Sequence, residues 1–117
     1  MDAKHYRWSE QPIDKPMQLL DRRRIIGEQA MISQVRLAKG CDVPMHAHEN
    51  EQFAMVMTGR LRFAIGGEGK AAREVVVSAG EVLHLPSSVP HSAYAEEDTL
   101  VLDVFSPPSE KTGIDRT

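Results

Sequence analysis

His46 and His48 stand two residues apart, and four residues further on is Gln52, at the head of the apolar run Phe53-Ala-Met-Val-Met57. On a β-strand side chains alternate faces, so residues i and i+2 point the same way. Two neutral imidazoles converging on one point make half of a transition-metal site. A strand that begins at Gln52 would bring its amide oxygen alongside the two rings. A second stretch, Gly80 to His91, has a glycine, a short apolar strand, a loop bounded by Pro86 and Pro90, and then a histidine. His46, His48, Gln52 and His91 together would hold one divalent ion. That set is neutral, so the ion keeps its full double charge. Lewis-acid work follows: holding carboxylate or enolate oxygens and stabilising developing negative charge. Zn, Ni, Mn, Fe and Co all suit such donors.

The next chemical residue is Asp103, in Val101-Leu-Asp-Val-Phe105. A carboxylate on so apolar a strand either faces water at an edge or faces an interior cavity. In a cavity, desolvation raises its pKa and a nearby cation lowers it, a balance that suits proton transfer. Phe105, on the same face, either walls that cavity or packs in the core. Glu51 should point away from Gln52 and read as surface charge. His84 has no face fixed by alternation, and His5 reads as surface. Cys41, five residues before His46, reads as a small turn residue.

The elements that must position these residues are short strands. Arg22–Ile26 reads as one, its arginines as a solvated face. Met31–Leu37 alternates, with Met31, Ser33, Val35 and Leu37 on one face and Ile32, Gln34 and Arg36 on the other. Arg60–Ile65 alternates likewise, with Leu61, Phe63 and Ile65 opposite Arg62 and Ala64. Gly66-Gly67-Glu68-Gly69 reads as a hairpin turn and Arg73–Val77 as the returning strand. Glu81–Leu85 and Thr99–Phe105 complete the set, and no helix is evident. Short strands with turns at close spacing predict an all-β barrel or sandwich with inward side chains lining its axis.

The chain has 117 residues, 41% hydrophobic and 26% charged, with a net charge of −3. That is one domain. The boundaries expected are an extended, proline-bearing arm over residues 1–20, a barrel over 21–108 and a tail over 109–117. The acidic balance excludes a nucleic-acid partner, since no basic excess is present to neutralise phosphates. No apolar run approaches the roughly 20 residues of a membrane helix, and no signal-peptide apolar region is seen. With a single cysteine, the expected location is cytoplasmic.

At the histidines the chain resembles the cupin superfamily, whose fold is a single jelly-roll β-barrel. Its first motif is Gly, five residues, His-x-His, three or four residues, Glu, six residues, Gly. Gly40, His46, His48 and Gly59 match, with Gln52 in the Glu position. Its second motif is matched by Gly80, Pro86 and His91, with Ser88 for the usual Gly and Ala95 for the usual Asn. The length and the final strand, Leu-Asp-Val-Phe-Ser-Pro-Pro, are similar to the KdgF family of pectin and alginate catabolism. That resemblance covers about residues 22–108. It implies ring-opening of 4,5-unsaturated monouronates to a 5-keto-4-deoxyuronate, with His46, His48, Gln52 and His91 on the metal and Asp103 and Phe105 as catalytic residues. It also implies a small acidic sugar as substrate and a homodimer. The family often carries an arginine for the substrate carboxylate after Ser-Pro-Pro. Here that residue is Ser109, so Arg36, Arg62 or one of Arg22 to Arg24 is expected to serve instead. The competing readings are a cupin oxygenase, a lyase or isomerase acting on another small acid, and a non-catalytic metal- or sugar-binding module.

Overall fold

Strand follows strand from Asp14 to Ser106 because β-branched and other apolar residues alternate with polar ones and a turn interrupts every few residues. The structure, a computed structural model, describes residues 2–66 and 71–115. Its strands are β1 (Asp14–Met17), β2 (Leu20–Ile26), β3 (Met31–Leu37), β4 (Asp42–His46) and β5 (Glu51–Thr58), followed by β6 (Arg60–Ile65), β7 (Arg73–Ser78), β8 (Val82–Leu85), β9 (His91–Ala95) and β10 (Thr99–Ser106). One 3-10 turn, Trp8–Glu10, is the only helical element among the described residues. None of the described helices is long and apolar enough to cross a membrane. The expected hairpin turn at 66–69 lies mostly outside the described residues.

A six-stranded sheet in the order β1-β2-β3-β10-β5-β8 faces a four-stranded sheet in the order β4-β9-β6-β7. Every pairing is antiparallel. The inward rows follow the predicted alternation. Val35 and Leu37 of β3, Val101 of β10, and Ala54 and Val56 of β5 form one buried core with Val43, Leu61, Phe63, Ala93 and Ala95 of the opposite sheet. Burial of this kind contributes roughly 25 cal/mol per Å² of apolar surface and is what closes the two sheets on each other. The turn between β5 and β6 needs glycine. Gly59 has φ +88, and a Cβ there would collide with the carbonyl oxygen of Asp98.

Three expectations are corrected here. The stretch read as an N-terminal arm ends in a strand of the chain's own sheet, β1 pairing with β2. The β2 arginines are not all a solvated face: Arg22 is 2% exposed. In the register with β3, Arg22 is opposite Val35 and shares its inward face, and Asp14 and Asp115 neutralise it there. The stretch read as a tail packs on the barrel, with Thr112 buried and Ile114 against the core.

Candidate metal centre

The histidines gather where the two sheets part at one end of the barrel. His46 ends β4 and His91 begins β9, and the two are cross-strand neighbours. His48 is past the end of β4, in the crossing that carries the chain to β5 in the other sheet. Convergence of His46 and His48 is therefore the work of that corner, not of strand alternation. The ring centroids are 5.7 Å apart for His46 and His48, 4.3 Å for His46 and His91, and 5.1 Å for His48 and His91. One ligand nitrogen from each ring can be chosen so that all three lie within 4.8 Å of one another, and the cluster can hold a metal ion.

The tautomers are set locally. His46 Nδ1 is 2.8 Å from the carbonyl oxygen of Pro44, His48 Nδ1 3.0 Å from that of Asn50, and His91 Nδ1 2.9 Å from that of Val89. A carbonyl can only accept, so each Nδ1 carries the proton and each Nε2 is left unprotonated, the form a metal requires. Burial, with a smaller contribution from the other two imidazoles, outweighs the Val89 hydrogen bond and lowers the His91 pKa to about 4. His91 is thus neutral and ready to ligate at physiological pH.

Gln52, 7% exposed at the head of β5, completes the group. Its Oε1 is 3.1 Å from His48 Nε2, and its Nε2 donates to Asp103 Oδ1 at 3.0 Å. With the His48 proton on Nδ1, Oε1 and Nε2 face each other as two acceptors. A cation between them turns that repulsion into coordination, so the donor set fits a metal ion. Phe105 is opposite Gln52 on β10, and its ring meets His48 edge-on at 5.6 Å.

Asp103 faces the interior, 6% exposed. Burial pushes its carboxyl up to about 7, against the opposing effect of the Gln52 hydrogen bond. It sits one inward position along β10 from Phe105 and lines the same cavity as His46, Gln52, His91 and Thr112, a space of about 40 Å³. A larger open depression, about 760 Å³, lies toward the other end of the strands between Leu19, Arg36, Asp98 and Leu100. It contains none of the histidines, and the chemistry belongs to the smaller cavity.

The two arginines singled out for the substrate do not reach this site. Arg36 is exposed on the outer face of β3, and Arg62 is on the outer face of β6, over the Tyr94 ring at 4.9 Å. His84 is also outside, stacked on Phe53 and 2.7 Å from Glu51. Asn50 was not singled out by sequence. It is 4% exposed, its side chain donates to the carbonyl of Pro107, and its own carbonyl orients His48. A polar residue next to His-x-His carries no period that would reveal this.

Comparison with known families identifies the Cupin domain over residues 33–105, and the chain belongs to that family. Among solved structures it is similar to an RmlC-like cupin from Shewanella frigidimarina NCIMB 400, at 24% identity and TM-score 0.81, covering 92% of this chain and 95% of that one. KdgF from Halomonas sp. is similar at 25% identity and TM-score 0.80, covering 93% and 97%. A variant of Bacillus subtilis oxalate decarboxylase matches at 24% identity and TM-score 0.81, over 92% of this chain but only 31% of that enzyme. No curated protein matches. The similar structures thus include enzymes, one of which has Mn(II) centres.

Proposed function

We propose that the chain is a metal-dependent enzyme that opens the ring of a 4,5-unsaturated monouronate to give a 5-keto-4-deoxyuronate. The observation that carries this reading is the line His48–Gln52–Asp103, which sets a buried carboxyl one amide away from a neutral ligand set. The resemblance to KdgF of Halomonas sp. along nearly the whole chain supports it.

His46, His48, Gln52 and His91 would hold one divalent ion. When bound, the ion supplies Lewis acidity to the oxygen on which negative charge develops. The substrate is a cyclic hemiacetal whose ring oxygen is also an enol-ether oxygen. Asp103, as carboxylate, accepts the proton of the C1 hydroxyl. The C1–ring oxygen bond breaks, C1 becomes an aldehyde, and the electron pair of that bond stays on the oxygen of C5. Asp103 returns the proton to C4 and C5 becomes a ketone, so atoms and protons balance without a redox partner. A pKa near 7 suits both halves of that transfer. Phe105 walls the pocket beside His48 and keeps water from the proton path. The cavity of about 40 Å³ favours a second reading, isomerase or lyase action on a smaller organic acid.

The protein is expected to work as a homodimer in the cytoplasm. Phe53 (40% exposed), Met57 (52%) and Val82 (56%) lie on the outer side of β5 and of its neighbour β8, the edge strand of the sheet, which supports pairing with a second copy. The direct test follows the ultraviolet absorbance of the conjugated double bond of the unsaturated monouronate with metal-loaded protein. Loss of absorbance well above the buffer rate is expected. A rate equal to buffer overturns the uronate reading.

A further inference from the structure

Beyond Ser109 the chain turns back across the open end of the barrel. Thr112 is 3% exposed, and it and Ile114 line the cavity beside His46 and His91. Gly113, at φ +91, lies so close over the Cδ2–Nε2 edge of His46 that a Cβ there would collide with the ring. That edge is the one a bound metal and its ligand would face. The segment is latched on both sides. Arg24 Nη1 donates to the carbonyl oxygen of Glu110 at 2.7 Å. Arg22 grips the Asp115 carboxylate with two bonds, Nη1 to Oδ2 at 3.0 Å and Nη2 to Oδ1 at 2.6 Å. This two-pronged geometry is how a guanidinium holds any carboxylate.

Arg22 has a second partner that is part of the barrel. Asp14 of β1 accepts from Nε at 3.2 Å and from Nη2 at 2.6 Å. Arg22, Arg24, Asp14 and Asp115 together are neutral, so without Asp115 the remaining three carry one positive charge. That charge adjoins the cavity wall, since Leu20, two residues along β2, and Val35, opposite Arg22 on β3, both line the cavity. With the segment in place, about 40 Å³ remains at the histidines. Ordinary ligand pockets run to several hundred Å³, so displacing the segment is what would make room for a sugar acid.

We propose that residues 111–115 form a displaceable strap over a carboxylate-binding site, and that an organic acid entering the histidine centre replaces Asp115 on Arg22. The inference rests on reading that centre as a site for a small organic acid, and it deepens that reading by naming Arg22 as the residue that takes the carboxylate. It fills the place left by Ser109 and not filled by the outward Arg36 and Arg62.

The test uses metal-loaded protein and D-galacturonate, a saturated uronate with no double bond to react, with D-galactose as its uncharged counterpart. Binding is measured by calorimetry for wild type, Asp115→Asn and Gly113→Ala. The second variant keeps Asp115 but drives the strap off His46. Both variants should bind galacturonate about 10-fold tighter or more, because the strapped population no longer reduces apparent affinity, and galactose should bind none of the three. Galacturonate should also speed amide hydrogen exchange across residues 111–115 of the wild type, where sodium chloride at equal concentration does not. Unchanged or weaker galacturonate binding in the variants overturns the proposal. So does galactose binding the variants as tightly as galacturonate, or slower exchange when galacturonate binds, the mark of a lid closing over its ligand. If galacturonate binds no form, oxalate is the second probe. Tighter oxalate binding to the variants upholds the strap and removes the uronate reading, whereas unchanged oxalate binding removes the strap.

Discussion

Gln52 and Asp103 are joined by a 3.0 Å hydrogen bond across the β5–β10 ladder, with the amide donating and the carboxyl accepting. The bond ties the orientation of one expected metal ligand to the charge on the acid–base group. Gln52→Glu removes the donor and sets a second carboxyl against the first. Metal content should persist, since a carboxylate ligates as well as an amide oxygen. Turnover of unsaturated monouronate should fall, because the added negative charge cancels part of the metal's. Elemental analysis and the absorbance assay on the same preparation separate the two effects, and turnover at or above wild type would count against the charge argument.

Removing one imidazole should remove the ion. His48→Ala deletes a lone pair at the corner between the sheets and leaves the strands intact. Metal content and activity are expected to disappear together while the far-ultraviolet spectrum stays that of a β protein. Wild-type metal content in this variant would show the ligand set to be wrong.

Asp103→Asn is nearly isosteric and cannot accept a proton near neutral pH. Turnover should drop by about 10²–10⁴-fold, the usual contribution of a general acid–base group, with metal content unchanged. A variant that runs at the wild-type rate leaves the proton transfer without Asp103.

The strap makes stability depend on acid. Burial works against charge on Asp115, but the Arg22 hydrogen bonds and charge outweigh it and hold its carboxyl below the usual value of 3.8. A depressed carboxylate contributes stability that is fully present above its unfolded pKa and is lost as pH falls through the folded one. Asp115→Asn should therefore be less stable than wild type at pH 7, by about 1.5–3 kcal/mol, the range for hydrogen bonds to charged groups. The gap should narrow as pH falls below about 4. Urea midpoints at pH 7 and pH 3 read it directly, and a gap that widened in acid would contradict the sign.

If β5 and β8 carry the dimer contact, Phe53→Glu places a charge in an apolar interface. Light scattering at micromolar concentration should give a dimer mass for wild type and a monomer mass for the variant. A wild-type monomer would remove the contact.

Strand alternation makes most of this barrel legible, and motif spacing alone brings His46, His48, Gln52 and His91 together. Asp103 was legible as well, because a carboxylate between Leu102 and Val104 needs an interior reason. Alternation also places two of the arginines outside. If Leu61 and Phe63 face inward, Arg62 faces out, and if Val35 and Leu37 face inward, Arg36 between them faces out as well. Arg22 was harder. Its inward place conflicts with its charge until Asp14 and Asp115 are seen beside it, and Asp115 is 93 residues away in the chain. No local pattern announces a contact of that separation, and none marked the return of residues 111–115 over His46.

Each imidazole is aimed by a carbonyl two residues from it: Pro44 for His46, Asn50 for His48, Val89 for His91. The aiming group is main chain, so no exchange of a distant side chain can take it away. The three imidazole handles are self-contained tripeptides, each aimed without help from the other residues of the cavity wall. Such a centre tolerates drift. Leu20, Phe105 or Thr112 can be exchanged, and the acid the pocket admits can change, while the grip on the ion stays as it was. A barrel built this way can acquire a new substrate by altering its lining without first having to rebuild its metal site.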